Sequence, residues 1–137
     1  MLLCVGRGSL MDEIRAKSET LGISDRVIFA GAQKDTPAYY SAMDVFLFPS
    51  LYEGLGSVLI EAQANGLTVI TTQTVVPRDV DVTGRAAFVS LEAPAETWAE
   101  AVLSAPARET DGRSAETVKA LYDIQSVAQT LCKLYQG

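Results

Sequence analysis

Four short runs with the signals of strands, each separated from the next by residues with helical signals, constrain the fold of this chain more than any other feature. They span residues 2–5, 27–30, 45–48 and 68–71. In the third run apolar side chains do not alternate with polar ones, so both faces of that strand should be buried. Strands that alternate with helices predict a parallel sheet covered by helices, in three layers of the α/β/α type.

Start and stop signals place three helices between these strands. They are predicted from Ser9 to Leu21, from Thr36 to about Ala42, and from near Leu55 to Asn65. Ser9 is the expected N-cap of the first helix, and Gly22 and Gly66 follow the ends of the first and third. The first half of the chain is therefore a repeated strand and helix unit.

The second half has weaker strand signals and stronger helical ones. Residues 75–91 are expected to hold one or two short strands, with 87–89 the better candidate. A helix is predicted from Pro94, because the residues after it include a stripe with core-facing spacing. The stripe is Trp98, Ala101, Val102 and Ala105, and its tryptophan is an expected core residue. Residues 108–113 are a predicted loop, and helix resumes near Ser114, with a break near Asp123 and then Val127, Leu131, Leu134 and Tyr135.

Composition excludes several classes of protein. A chain of 137 residues that is 48% hydrophobic has the length for one domain with a core, and we interpret residues 1–137 as one domain. Because it contains no histidine, the chain cannot supply a Ser-His-Asp or Cys-His catalytic centre or an imidazole metal site. Its net charge of −6 argues against nucleic acid, or an anionic membrane surface, as a partner of the whole domain.

Cysteine usage and hydropathy indicate a soluble domain in the cytoplasm. Cys4 and Cys132 have neither the spacing of a metal site nor the density of a disulfide scaffold, so both are expected to be buried free thiols. The apolar runs are much shorter than the roughly 20 residues of a membrane-spanning helix. Residues 1–5 lack the basic lead of a secretion signal. A cytoplasmic location is the default expectation.

The residues Gly6, Arg7 and Gly8 follow a predicted strand and precede a predicted helix, as in a dinucleotide-binding fingerprint. Met11 occupies the third glycine position of that fingerprint, so a tight turn that needs small residues is the favoured interpretation. An oxidoreductase domain stays open as an alternative. The second strand does not end in an acidic residue, which disfavours it.

The stretch from Pro49 to Ala62 is the strongest functional motif. It begins beyond the carboxyl end of a predicted central strand, where open α/β sheets bind ligands. Gly54 and Gly56 leave backbone N–H groups unobstructed at a helix N-terminus, which suits a phosphate group. A diphosphate is therefore the expected ligand of this segment.

Two glutamates flank that helix start. Glu53 precedes the helix and Glu61 lies about two turns into it, so both carboxylates can face one cleft and accept hydrogen bonds from sugar hydroxyls. The alternative is that Glu53 only interacts with the helix dipole and that Glu61 is a solvated surface residue. That alternative does not explain an acid between Ile60 and Ala62 in an apolar run. Neither glutamate is assigned as a proton-transfer catalyst.

The spacing of Glu53 and Glu61 resembles the Glu-x7-Glu motif of retaining glycosyltransferases with the two-lobed GT-B fold. Residues 21–31, 43–50, 53–62 and 66–70 are similar to landmarks of that family in the same order. The resemblance covers essentially the whole chain, and it implies a Rossmann-like C-terminal lobe that binds the donor. Shorter segments at 77–83, 98–100 and 122–124 resemble the branch that builds exopolysaccharides and capsules.

The resemblance implies a role for each residue of the motif. Glu53 would contact hydroxyls of the donor sugar, and Glu61 would contact the ribose of a nucleotide diphosphate. The donor-sugar site would comprise Glu53, Gly54, Leu55 and Gly56, and the phosphate site Gly54, Leu55, Gly56 and Ser57. The base would lie near Arg26 and Val27. Neither a metal nor another cofactor is expected, because cationic side chains and helix dipoles would stabilise the leaving diphosphate.

The resemblance also identifies two departures from the family pattern. The Arg and Lys that grip the diphosphate normally lie upstream of the position of Leu2, and Val75 and Val76 replace a Gly-Gly pair before Pro77. The acceptor-binding lobe and the first part of the C-terminal lobe would also be missing. We therefore expect a fragment that is inactive alone, from an enzyme that is cytoplasmic or peripheral at the inner face of the membrane.

The expected partners follow from the same resemblance. They are a nucleotide sugar and, through the missing lobe, a glycan or lipid-linked acceptor. Apolar surface left exposed by the missing lobe, with the last helix as a candidate, would favour self-association. A free-standing nucleotide-binding module without catalytic activity remains the alternative function.

Overall fold

The apolar runs of the sequence form strands at the predicted positions in the structure, a computed structural model that describes residues 1–136. The elements in chain order are β1 (Leu2–Val5), α1 (Met11–Thr20), β2 (Val27–Gly31), α2 (Thr36–Ser41), β3 (Val45–Phe48), α3 (Ser57–Ala64), β4 (Thr68–Thr72), β5 (Ala86–Val89), α4 (Ala95–Leu103), α5 (Arg113–Tyr122) and α6 (Ile124–Gln136). Contacts within the chain divide it into two compact units, Met1–Tyr39 and Tyr40–Gly137. The strands form two parallel sheets, one in each unit, where the sequence predicted a single sheet.

The first unit is built on the parallel pair β1 and β2, in which Leu2 pairs with Val27 and Cys4 with Phe29. The guanidinium of Arg15 on α1 lies 4.3 Å from the centroid of the Phe29 ring, which places α1 on that face of the sheet. Ile28 points to the opposite face and is 46% exposed. The predicted covering of the sheet by helices is therefore incomplete on this face of β2, where Ile28 is exposed.

The first helix starts later than its sequence signals indicate. Leu10 is the N-cap residue of α1 and no side chain makes a cap hydrogen bond, so the assignment of Ser9 as N-cap is wrong. The turn before the helix is closed by the backbone instead, with the N–H of Met11 donating to the carbonyl of Gly8 at 3.3 Å. The stop signal is confirmed, since Gly22 follows the helix and donates its N–H to Glu19 at 2.9 Å.

The second unit contains a three-stranded parallel sheet with the order β3-β4-β5. Its register aligns Phe46, Val69 and Ala86 across the three strands. All five residues of β4 are buried, as expected for a central strand that is covered on both faces. Leu47 of β3 is 37% exposed, so the prediction that both faces of β3 are buried is wrong at this edge strand.

The core of the second unit forms between α3 and one face of this sheet. Its buried members are Tyr40, Leu59, Ala62, Leu67, Val69, Val76 and Val80, with Phe46, Phe48 and Phe88 packed against them. Each large side chain that is fully buried here contributes about 1.5–3 kcal/mol relative to an exposed one. Burial of Leu59 and Ala62 therefore fixes α3 on the sheet.

Three predictions of buried side chains, at Trp98, Cys132 and Cys4, are corrected by the structure. Trp98, Ala101 and Val102 face inward from α4, but α4 has no buried residue and Trp98 is outside the core. Helix α4 packs on the edge strand β5, which covers it less than a central strand would. Cys132 on α6 is exposed rather than buried. Cys4 is half-buried, and burial raises the pKa of its thiol.

The predicted break near Asp123 is confirmed. Asp123 has extended backbone angles between α5 and α6, and its carboxylate accepts the N–H of Ser126 at 3.1 Å, which caps α6.

Within residues 1–136, no helix combines the length and the apolar character needed to cross a membrane.

Gln63 ties α3 to the segment that follows β4. The side chain is fully buried, and its Nε2 donates to the carbonyls of Leu59 at 3.1 Å and Val80 at 2.7 Å. Its Oε1 accepts from the N–H of Thr83 at 3.3 Å and from the Thr83 hydroxyl at 2.9 Å. A buried amide with all of these partners stabilises the fold, whereas the loss of the amide leaves the two donors of Thr83 without an acceptor.

Gly66 allows a close backbone contact at the carboxyl end of α3. Its φ is +77°, and a Cβ added there would lie 2.1 Å from the carbonyl oxygen of Glu109. The N–H of Glu109 donates back to the Gly66 carbonyl at 2.9 Å. The Glu109 carboxylate in turn accepts the N–H of Ser114 at 2.6 Å, in the first turn of α5. The end of α3 and the start of α5 are therefore joined through one glycine.

We expect Gly66→Ala to lower the free energy of unfolding by more than about 3 kcal/mol, since the left-handed backbone alone costs about 1–2 kcal/mol and the clash adds to it. Gly84→Ala is the matched control, because Gly84 has φ +71° but open space around the added Cβ. It should lose only about 1–2 kcal/mol. Urea denaturation of both variants measures the difference, and equal losses would contradict the role of the contact with Glu109.

We expect Gln63→Met to lower the free energy of unfolding by about 2–5 kcal/mol, because it keeps the volume but leaves the N–H and the hydroxyl of Thr83 without their acceptor. Gln73→Met is the control, since Gln73 is exposed and its substitution should stay within about 0.5 kcal/mol of the unmutated chain. Thermal and urea denaturation provide the measurement. A loss at Gln63 as small as that at Gln73 would show that the amide network does not stabilise the fold.

Candidate functional site

The candidate site lies on the segment that joins β3 to α3. This segment leaves the sheet at the carboxyl end of β3, next to the buried central strand β4. The hydroxyl of Thr71 on β4 donates to the carbonyl of Phe48 at 2.9 Å, which fixes the end of β3 against its neighbour. Open parallel sheets bind ligands at this edge, as the sequence predicted for the motif.

Gly56 determines where α3 begins. It is the N-cap residue with φ +72°, and a Cβ added there would lie 3.1 Å from Cδ1 of Leu59 and 3.6 Å from Cγ of Glu53. A residue with this backbone cannot continue into a helix, so α3 starts at Ser57 and not near Leu55. The sequence prediction was wrong by about one half turn for this reason.

The open N–H groups of α3 are therefore those of Ser57 and Val58. Leu59 is the first residue of the helix whose N–H donates to a preceding carbonyl, that of Gly56, at 2.9 Å. The helical N–H groups before it have no acceptor within the helix. They lie at the positive end of the helix dipole, which favours an anion.

Glu53 occupies part of the predicted phosphate site. Its side chain is half-buried, and Oε1 accepts the N–H of Gly54 at 3.2 Å. The expectation that the Gly54 N–H is unobstructed is therefore wrong, because the neighbouring carboxylate folds back on it. Leu55, which follows, is 61% exposed at the surface of the same loop.

Glu61 lies on the exposed side of α3 and has a specific partner. Its Oε2 accepts the hydroxyl of Tyr40 at 3.1 Å. Tyr40 is 6% exposed, and burial, followed by the charge of Glu61 and this hydrogen bond, raises the pKa of Tyr40 to about 12. The acid in the apolar run of α3 is thus not simply a solvated surface group.

Sequence reasoning missed Tyr40. Two signals were available, since a buried tyrosine needs a partner for its hydroxyl and an acid in an apolar run needs one for its carboxylate. The two residues are separated by 21 positions, so only the fold shows that they meet.

Arg26 and Val27, the residues expected near a base, belong to the first unit. Arg26 ends a short 3-10 turn, where its N–H donates to the Ile23 carbonyl at 2.8 Å, and Val27 begins β2. Their role beside a ligand stays a prediction.

Two cavities of the described residues lie away from this motif. One, of about 280 Å³, is next to the end of α3 and is lined by Asn65, Gly66, Arg108 and Glu109 among others. The other, of about 200 Å³, lies between α5 and α6 and is lined by Leu121, Val127 and Leu131 among others. Neither is lined by Glu53 or Glu61, and a cleft shared by the two glutamates stays a prediction.

Comparison with known proteins places these elements in a family. The chain is 34% identical over 137 residues to EpsF of Bacillus subtilis (strain 168), a protein named as a glycosyltransferase, and the alignment covers 98% of this chain and 36% of EpsF. It is 47% identical over 68 residues to the Vi polysaccharide biosynthesis protein VipC/TviE of Salmonella typhi, covering 50% of this chain and 12% of that protein. The chain thus spans about a third or less of the length of these two relatives.

The fold is also found in solved structures. The lipopolysaccharide outer core galactosyltransferase WaaB superposes with a TM-score of 0.75 at 23% identity, over 99% of this chain and 40% of the other. This likeness confirms the α/β fold class predicted from the strand and helix pattern. Residues 1–108 match the model of the family described as glycosyl transferases group 1. The match covers well over half of this chain. This chain therefore belongs to the glycosyl transferases group 1 family.

Proposed function

We propose that this chain is the donor-binding half of a retaining glycosyltransferase that uses a nucleotide-diphospho-sugar and extends a glycan in exopolysaccharide or capsule biosynthesis. The observation that carries the proposal is the start of α3 at the carboxyl edge of the sheet, with Glu53 in the segment before the helix and Glu61 in its second turn. The family match and the name of VipC/TviE, a polysaccharide biosynthesis protein, support this proposal.

The diphosphate would bind at the start of α3. The N–H groups of Ser57 and Val58 have no helical acceptor, and the helix dipole adds a favourable interaction of about 0.3–1 kcal/mol with an anion. The left-handed Gly56 lets the chain turn into the helix without a side chain at the phosphate. This local geometry is needed because the chain as a whole carries a net charge of −6.

The two glutamates would bind the two sugar rings of the donor. Glu53 would exchange its hydrogen bond with the Gly54 N–H for hydroxyls of the transferred sugar, and this exchange would also release that N–H toward the ligand. Glu61 would accept the ribose hydroxyls. Carboxylates form charge-assisted hydrogen bonds with hydroxyls, which are about twice as strong as neutral ones. The base would lie near Arg26 and Val27, and the absence of a metal requirement stays a prediction.

The acceptor and the cations that stabilise the leaving diphosphate would be supplied by residues outside this chain. The chain corresponds to 36% of EpsF, so the greater part of such a relative has no counterpart here. A glycan or lipid-linked acceptor would bind to that other part. The expected cytoplasmic location and self-association also stay predictions.

We expect UDP or GDP to bind to the 137-residue chain and NADH not to bind. Glu61→Ala should weaken nucleotide binding about tenfold or more, because a hydrogen bond to a charged group is worth about 1.5–3 kcal/mol. Glu100→Ala, at an exposed position of α4, is the control and should bind as the unmutated chain does. Isothermal titration calorimetry provides the affinities. Binding of NADH without UDP or GDP would contradict the proposal and favour a nicotinamide domain.

We expect no sugar transfer by the 137-residue chain when donor and acceptor are both supplied. The physical reason is that the acceptor would bind to the part of such a relative that has no counterpart in this chain. A radiolabelled-sugar transfer assay over a panel of nucleotide sugars measures this. Turnover by this chain alone would contradict its assignment as half of an enzyme, whereas nucleotide binding without turnover agrees with it.

A further inference from the structure

Tyr40 places a hydroxyl group from the core of the second unit next to the surface carboxylate of Glu61. Its ring packs edge-on against Phe46, with centroids 5.5 Å apart and an interplanar angle of 70°, and it belongs to the same buried cluster as Leu59. A ring held in this way has little freedom to move. The position of its hydroxyl is therefore set by the core.

The backbone of Tyr40 is also fixed. The guanidinium of Arg108 donates through Nη1 to the carbonyl of Ser41 at 2.6 Å and reaches that of Tyr40 at 3.5 Å. Cations and donors at the end of a helix satisfy its free carbonyls. Helix α2 thus ends at a point that Arg108 holds, and Tyr40 lies in its last turn.

The hydroxyl of Tyr40 donates to Glu61. It lies 3.1 Å from Oε2 of Glu61 and 3.4 Å from the carbonyl oxygen of Val58, and it has one proton to give. A charged acceptor at the shorter distance makes the stronger bond. Because the pKa of Tyr40 is raised to about 12, the hydroxyl keeps this proton at neutral pH.

We propose that Tyr40 is a positioning residue, which holds the Glu61 carboxylate in the orientation that receives the ribose hydroxyls of a nucleotide. The inference rests on the function proposed above for Glu61. With Oε2 bound to Tyr40, the second carboxylate oxygen remains to accept from a ligand. An exposed glutamate otherwise loses side-chain entropy when a ligand orders it, and a fixed donor reduces that loss.

The test compares Tyr40→Phe with Tyr39→Phe in the 137-residue chain. Tyr39 is the adjacent, half-buried tyrosine and is not part of the proposed site. The probes are UDP or GDP, whichever binds the unmutated chain, and the 2′,3′-dideoxyribose form of the same nucleotide. Calorimetry measures each affinity, and circular dichroism with thermal melting checks that each variant is folded.

We expect Tyr40→Phe to weaken binding of the ribonucleotide about fivefold, the effect of one modest hydrogen bond, and to leave the dideoxynucleotide within about twofold. Tyr39→Phe should change neither affinity. In a Glu61→Ala background the Tyr40 substitution should have no further effect, because its partner is absent. A structural role for Tyr40 would instead weaken both nucleotides equally.

Suppose first that the ribose preference of the unmutated chain depends on Glu61. In that case, Tyr40→Phe overturns the inference if it weakens both nucleotides equally or weakens neither. The proposed function stays intact in both cases. An unmutated chain that does not prefer ribose overturns the role of Glu61, and the Tyr40 inference with it. The two failures are therefore distinguishable from the same titrations.

A measurement without ligand tests the contact itself. Glu61→Gln should lower the pKa of Tyr40 from about 12, since it removes the charge of Glu61, while burial, the larger cause, keeps the pKa above its ordinary value. NMR of tyrosine labelled at the carbon that bears the hydroxyl reports this pKa. An unchanged pKa would show that Glu61 does not accept the Tyr40 hydroxyl, and would overturn the inference.

Discussion

The second unit depends on the packing of α3 against the buried strand β4. All five residues of β4 are buried, and hydrogen bonds hold it between β3 and β5. Leu59 and Ala62 lie in the same core as Val69, so the axis of α3 is set by this contact. Both ends of the helix follow from it, because the N-terminus then lies at the carboxyl edge of the sheet and the C-terminus meets the loop before α5.

Electrostatics explains why the proposed function needs this placement. A diphosphate would approach a chain that is acidic overall and would lie between two glutamates, so long-range attraction cannot bring it there. Short-range donors must hold it instead. The helix start provides them through backbone N–H groups, whose positions depend on the left-handed Gly56 rather than on any side chain. In the proposed function the acids beside it would then be free to recognise hydroxyls, which are donors and carry no charge.

The strands and the helix order could be predicted from the sequence because they depend on local apolar runs. The first residues of the helices were harder to predict from the sequence. Ser9 looks like a cap and Leu55 like a first helical residue, but the helices start at Met11 and Ser57, where backbone angles decide. Periodicity identified the inward face of α4 but not how deeply that face is buried. The burial of Trp98 depends on how much of the helix the edge strand β5 covers.

The bonds that shape the site were the least predictable, because they join residues far apart in the chain. Tyr40 and Glu61 are 21 positions apart, and Gln63 and Thr83 are 20 apart. Their common feature is α3, which presents Glu61 to Tyr40 and Gln63 to the segment after β4. Glu61 and Gln63 are two residues apart on the helix, so their side chains point in different directions. The helix is therefore held from two sides, and the Glu61 carboxylate on its surface is oriented by Tyr40, which the core has already ordered.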